Sequence, residues 1–251
     1  MHKHRFAIPA ALSAAVLAVI PSAALAHGED YDVSPEVVGG VIKLNAYFDE
    51  DEFEVKNVRV FGYAFGEDPI LPPNELQDPG LHPLPGSGFA AGSQIGVSAL
   101  SALQYWDGTG APAFAPAAAG TSLGYAFGSQ SASVTGSTVP TNVVNLGPVD
   151  AVGEFDDHLD TDITLAAAGG IYYFSAKLNT TTPNVADSDS LYFLFAYNVD
   201  EEALDVAKEF IRDTFAPGTV LPVVPEPATA GALALFGGLA MVRRRRETSS
   251  R

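Results

Sequence analysis

The chain has 251 residues, a formal net charge of −17 and 47% apolar residues, which fits one medium domain with processing segments and excludes a collagen-like or fully disordered polymer. A pI near 4.4 repels phosphate backbones, so no nucleic-acid partner is expected. The absence of cysteine removes disulfides, thiolate zinc sites, iron-sulfur ligation and thiol nucleophiles together, leaving a packed core or bound ions to stabilise the fold.

At the N-terminus, Lys3 and Arg5 precede the mostly apolar run 6–20, and Pro21 leads through small residues to Ala24-Leu25-Ala26. This is the basic, apolar and A-x-A succession of a secretory signal peptide over residues 1–26, with signal peptidase expected to cut between Ala26 and His27. An uncleaved anchor is the alternative, but the run is shorter than the roughly 20 residues of a membrane span.

The exported body, residues 27–222, is expected to be mainly β, an antiparallel sandwich-like ectodomain with one short amphipathic helix at its C-terminal end. Residues 27–66 read as strands: 41–48 is β-prone, the acidic run Asp49-Glu50-Asp51-Glu52 marks a hairpin turn, and the slip in alternation near Lys56-Asn57 suggests a bulge. Residues 66–147 are rich in Pro, Gly, Ala and Ser, with short strands predicted at 102–106, 122–127 and 131–135. Alternation resumes over 159–165, and strong strand signals follow at 170–178 and 190–197. The sequence Asn198-Val199-Asp200-Glu201 has the pattern of a capping box, and Leu204, Ala207, Phe210 or Ile211, and Phe215 fall on one helical stripe that Pro217 ends. Lys208 and Arg212 are expected late in that helix, where they suit its dipole.

Chemistry-bearing residues concentrate in 156–162. On a strand, Asp156, His158, Asp160 and Asp162 share one face, an arrangement of oxygen and imidazole donors suited to a divalent metal; a solvated polar face is the simpler reading. Cleavage after Ala26 would make His27 the first residue, offering an α-amine and an imidazole to the same kind of ion. The candidate metal residues are therefore His27, His158, Asp160 and Asp162. The cofactor is otherwise unassigned, as are catalytic residues: P-loop and H-E-x-x-H patterns are absent. Tyr105, Trp106, Tyr125 and Phe127 offer either a sugar-binding platform or core side chains, so an extracellular polysaccharide partner stays open.

At the C-terminus, Pro225-Glu226-Pro227 precedes an apolar stretch, 228–242, and four arginines, Arg243, Arg244, Arg245 and Arg246, with a short tail 247–251. An apolar helix stopped by such a cluster places it on the cytoplasmic side. Residues 223–246 resemble the PEP-CTERM sorting signal of Gram-negative bacteria. The resemblance implies secretion, transient insertion of the C-terminal helix in the inner membrane, removal by an exosortase-type protease near the Pro-Glu-Pro motif, and delivery to the cell surface or extracellular matrix. An ordinary single-pass anchor is the alternative. Between His27 and Val224 lie 28 of the 30 acidic residues but only six of the 13 basic ones, so the body carries about −22, a charge that attracts divalent cations or cationic partners.

Three stretches of the body, His27-Gly28-Glu29-Asp30, His158-Leu159-Asp160 and Ser188-Asp189-Ser190-Leu191-Tyr192-Phe193, are loosely similar to uncharacterised PEP-CTERM surface proteins, some associated with zinc limitation. Those relatives are richer in histidine at the first two places. The Ala26-His27-Gly28 junction also resembles that of secreted copper proteins such as lytic polysaccharide monooxygenases. Three functions stay open: an exported, non-enzymatic surface or matrix protein; an ectodomain binding Ca²⁺, Zn²⁺ or Cu²⁺; and a carbohydrate-binding or carbohydrate-active module.

Overall fold

A computed structural model describes residues 31–49 and 52–222. His27, the segment 1–26, the Pro225-Glu226-Pro227 motif, the apolar stretch 228–242 and Arg243 to Arg246 lie outside the described residues. The elements are β1 (Asp32–Val38), β2 (Val41–Phe48), β3 (Phe53–Lys56), β4 (Val60–Ala64), β5 (Glu75–Leu76), β6 (Gly80–Leu81), β7 (Ile95–Ala99), β8 (Gln104–Trp106), β9 (Ala115–Pro116), β10 (Ser122–Phe127), β11 (Gln130–Thr135) and β12 (Val144–Leu146). They continue with β13 (Asp157–His158), β14 (Asp160–Ile163), β15 (Gly170–Thr180), β16 (Leu191–Tyr197) and α1 (Glu201–Phe215). The described residues are mainly β, with several sheets and one helix.

The largest sheet runs β12-β7-β15-β16-β4, with β8 and β9 attached along β15. Period-two alternation gives it two apolar faces. Tyr172, Phe174, Ala176 and Leu178 of β15, Phe193 and Phe195 of β16, and Phe61 and Tyr63 of β4 enter the main core. There they meet side chains of the other two sheets: Tyr125 of β10 stacks on Phe174 with centroids 5.6 Å apart, and Tyr31 lies against Phe48 and Phe61. Fully burying one such ring stabilises the fold by about 1.5–3 kcal/mol. Ile171, Tyr173, Leu194, Ala196 and Val60 point the other way, onto Leu204, Ala207 and Ile211 of α1.

Gly62 of β4 lets the helix come close. A Cβ there would stand 2.8 Å from Lys208 Cδ and 3.2 Å from Leu204 Cδ1. Of the two basic residues expected late in the helix, Arg212 alone is in the last turn; Lys208 is buried on the sheet-facing side, with its ammonium 2.9 Å from Asp205. The capping box is also not formed. Asp200 is the N-cap, in extended conformation without a side-chain cap hydrogen bond, and Glu201 and Glu202 supply acidic charge to the first turn.

The slip near Asn57 is where the chain changes sheet. Asn57 takes φ +63°, Val58 N donates to Leu44 O, and the chain then leaves the β1-β2-β3 sheet so that β4 can pair parallel with β16. A second parallel pair joins β1 to β6, so the sheets are not purely antiparallel. The smaller sheets run β13-β6-β1-β2-β3 and β11-β10-β14-β5. Strands β13 and β14 flank Leu159 but belong to different sheets. That crossing point organises the site.

Candidate metal centre

Three strand ends meet at one edge of the β13-β6-β1-β2-β3 sheet. β6 lies between β1, with Val33 opposite Leu81, and β13, with Leu81 opposite Asp157 and Gly80 opposite His158. Leu81 is buried in the core, so its neighbours Gly80 and His82 face away from it. The β13 register carried one residue further sets His82 across from Asp156. Asp32, His82, Asp156 and His158 thus converge from three segments distant in sequence, and Asp49, just after β2, closes the group.

Gly80 is the floor that permits this. A Cβ at that position would overlap Asp32 Oδ1, and would lie 2.6 Å from Asp32 Cγ and 2.8 Å from His158 Cε1. Any larger residue would have to push the carboxylate and the imidazole away from the strand.

His82 Nδ1 lies 3.1 Å from Asp49 Oδ1 and 3.8 Å from Asp32 Oδ2, and its Nε2 lies 3.5 Å from Glu154 Oε1. Tyr47 meets its ring edge-on, with centroids 5.0 Å apart. His158 Nδ1 is 3.0 Å from the Gln77 carbonyl oxygen and 3.7 Å from Asp78 Oδ1, and its Nε2 is 3.3 Å from Asp156 Oδ1. One donor atom each from Asp32, Asp49, His82 and Asp156 lies within 4.8 Å of the others, and the same holds for Asp32, Asp78 and His158.

Two atoms in this cluster are buried without a hydrogen-bond partner: Asp32 Oδ2 and His82 Nε2. Their residues are only 4% and 9% exposed. Leaving such groups unsatisfied costs about 1–3 kcal/mol each. Burial pushes the Asp32 carboxyl up to about 7; the charge of His158 opposes this, while Asp49, Asp156 and Asp78 add to it. The Asp78 carboxylate beside its ring raises His158 to about 9, against the opposing effect of burial and with help from Asp32 and Asp156. Burial, with the Asp78 charge adding to it, also raises the Tyr63 hydroxyl, which is likewise buried without a hydrogen-bond partner. The arrangement is a concentration of negative charge around two imidazoles, with donor types that fit a divalent cation.

Among the residues expected to bind metal, His158 stands inside this cluster. Asp160 and Asp162 belong to neither donor group. They lie exposed on β14, paired toward β10 and β5, because the chain changes sheets at Leu159. Asp32, Asp49, Asp78 and His82 were not foreseen as one set. The available signal is a repeated spacing: Asp78 stands four residues before His82, and Glu154 four before His158.

Of the aromatic candidates, Trp106 and Tyr125 are core residues at 4% and 2% exposure, and Trp106 Nε1 donates to Thr109 O. Tyr105 and Phe127 are half-buried against the main core. Among the described residues, no helix is long and apolar enough to cross a membrane. No family model, curated protein or solved structure matches the chain.

Proposed function

We propose that this is an exported, exosortase-sorted surface or extracellular-matrix protein whose sandwich-like ectodomain holds a divalent transition-metal ion at the Asp32–His82–His158 cluster. The export part rests on the signal-peptide pattern through Ala26 and on the PEP-CTERM-like tail, Pro225-Glu226-Pro227 with 228–242 and Arg243 to Arg246. In this reading the tail inserts transiently in the inner membrane, an exosortase-type protease removes it, and the acidic body is released to the surface. The metal part rests on one observation: Asp32 Oδ2 and His82 Nε2 are buried without hydrogen-bond partners, on residues of one carboxylate-imidazole cluster. An imidazole in each donor group favours a borderline ion such as Zn²⁺, Ni²⁺ or Cu²⁺ over Ca²⁺, which takes oxygen ligands.

The test is metal analysis of the full chain in mild detergent, followed by thermal unfolding with and without chelator. An ion held at about 100 times its Kd adds about 2.7 kcal/mol, or about 5–10 °C in Tm for a chain of this size. EDTA should remove that increment and Zn²⁺ should restore it. An unchanged Tm with no retained ion overturns the metal reading and leaves the sorting reading standing.

A further inference from the structure

We infer that the cluster is built for two divalent ions, one centred on His82 and one on His158, with the carboxylates of Asp32 and Asp156 lying between them. This deepens the metal-binding reading above and rests on it. Two arguments carry it.

The first is reach. Ligands bonded at about 2.0–2.1 Å lie no more than about 4.2 Å apart across one ion. The donor atoms fall into two overlapping groups, each within 4.8 Å internally, and the two histidines are in different groups. One group holds His82 with Asp32, Asp49 and Asp156; the other holds His158 with Asp32 and Asp78. Asp32 belongs to both. Asp156, a member of the first, also lies 3.3 Å from His158 Nε2. The two imidazoles fall in separate donor groups, each with carboxylates of its own, so two ions about 3.5–4 Å apart, the usual spacing of a paired site, would use every donor of the cluster.

The second is charge and orientation. Four carboxylates, Asp32, Asp49, Asp78 and Asp156, supply donors to the two groups, and Glu154 adds a fifth beside His82. One divalent ion would neutralise fewer than half of these charges; two would neutralise nearly all. His158 is already steered through Nδ1 by the Gln77 carbonyl, with its Nε2 turned toward Asp156, which is how metal-bound histidines are commonly oriented. Asp32, whose Oδ2 is buried without a hydrogen-bond partner, belongs to both groups.

Native mass spectrometry of the full chain, released from detergent after exposure to Zn²⁺ alone, reads the stoichiometry. Two retained Zn²⁺ are expected in the unaltered chain, one in His82→Ala and one in His158→Ala, with Asp32→Asn lowering the affinity of both sites at least tenfold. His82→Gln and His158→Gln serve as the smaller changes if an alanine variant fails to fold, as judged by circular dichroism. One Zn²⁺ in the unaltered chain, lost from either histidine variant, would overturn the two-ion arrangement and leave the metal reading intact. Two Zn²⁺ unaffected by Asp32→Asn would also overturn it, by placing them elsewhere on the acidic surface. No retained Zn²⁺ would overturn both.

Discussion

Replacing Gly80 by alanine tests the geometry of the centre without touching a ligand. The added methyl would overlap Asp32 Oδ1 and stand 2.8 Å from His158 Cε1, well inside contact distance, so both side chains must turn away from β6. Overpacking of this kind costs about 1–3 kcal/mol, or about 2–12 °C in Tm at this chain length. Displacing the groups that set ligand geometry typically lowers metal affinity by about 10–100-fold. Gly62→Ala is the matched control: it crowds Lys208 Cδ at 2.8 Å on the helix-facing side of a different sheet, so it should lower Tm and leave Zn²⁺ affinity unchanged. Calorimetric titration with Zn²⁺ and thermal unfolding in EDTA read the two effects separately. A folded Gly80→Ala chain that binds Zn²⁺ as tightly as the unaltered chain would refute the placement of the ion over β6.

Asp32→Asn should separate stability from binding, because it removes a buried carboxyl already pushed up to about 7 by burial. At pH 7.5 the chelated variant should melt no more than about 2 °C below the unaltered chain, a change of about 1 kcal/mol or less, while its Zn²⁺-dependent rise in Tm disappears; a retained rise would count against Asp32 as a ligand. The chelated chain should also lose stability as pH rises from about 4 to 9. Asp32, raised from 3.8 to about 7, and His158, raised from 6.5 to about 9, both hold protons more tightly when folded, so their contribution is complete at low pH and is lost through those values. Zn²⁺ should reverse this trend between pH 6 and 8, since binding releases protons; a Zn²⁺-induced Tm rise that shrinks over that range would contradict the assignment. For the sorting reading, mass spectrometry of envelope-derived protein should find His27 as the first residue and an end near Pro225-Glu226-Pro227. Finding Met1 and Arg251 on the same polypeptide would contradict it.

Where alternation was strong, the fold was legible in the sequence. The runs that became β2, β15 and β16 have period-two apolar faces long enough to announce themselves, and the stripe Leu204, Ala207 and Ile211 does the same for α1. Strand β7, Ile95–Ala99, hides in a stretch rich in glycine and serine, and β5, β6 and β13 are two residues long, too short for any period to show. The parallel pairing of β4 with β16 depends on contacts between segments more than 100 residues apart, which no local pattern encodes. The same limit concealed the metal centre. His82 stands in a proline-rich segment that reads as loop, Asp32 as an ordinary strand-end acid, and Gly80 contributes by having no side chain at all. His158 stands out in the sequence, but Asp160 and Asp162 share its face only on an unbroken strand, whereas the chain crosses between sheets at Leu159.

Diffraction at the zinc absorption edge from crystals grown with Zn²⁺ examines the metal centre most directly. Anomalous peaks are expected about 2.0–2.1 Å from imidazole nitrogens of His82 and His158, with Asp32 between them. Peaks confined to other acidic surface groups, with the Asp32 carboxylate and both imidazoles bare, would contradict it.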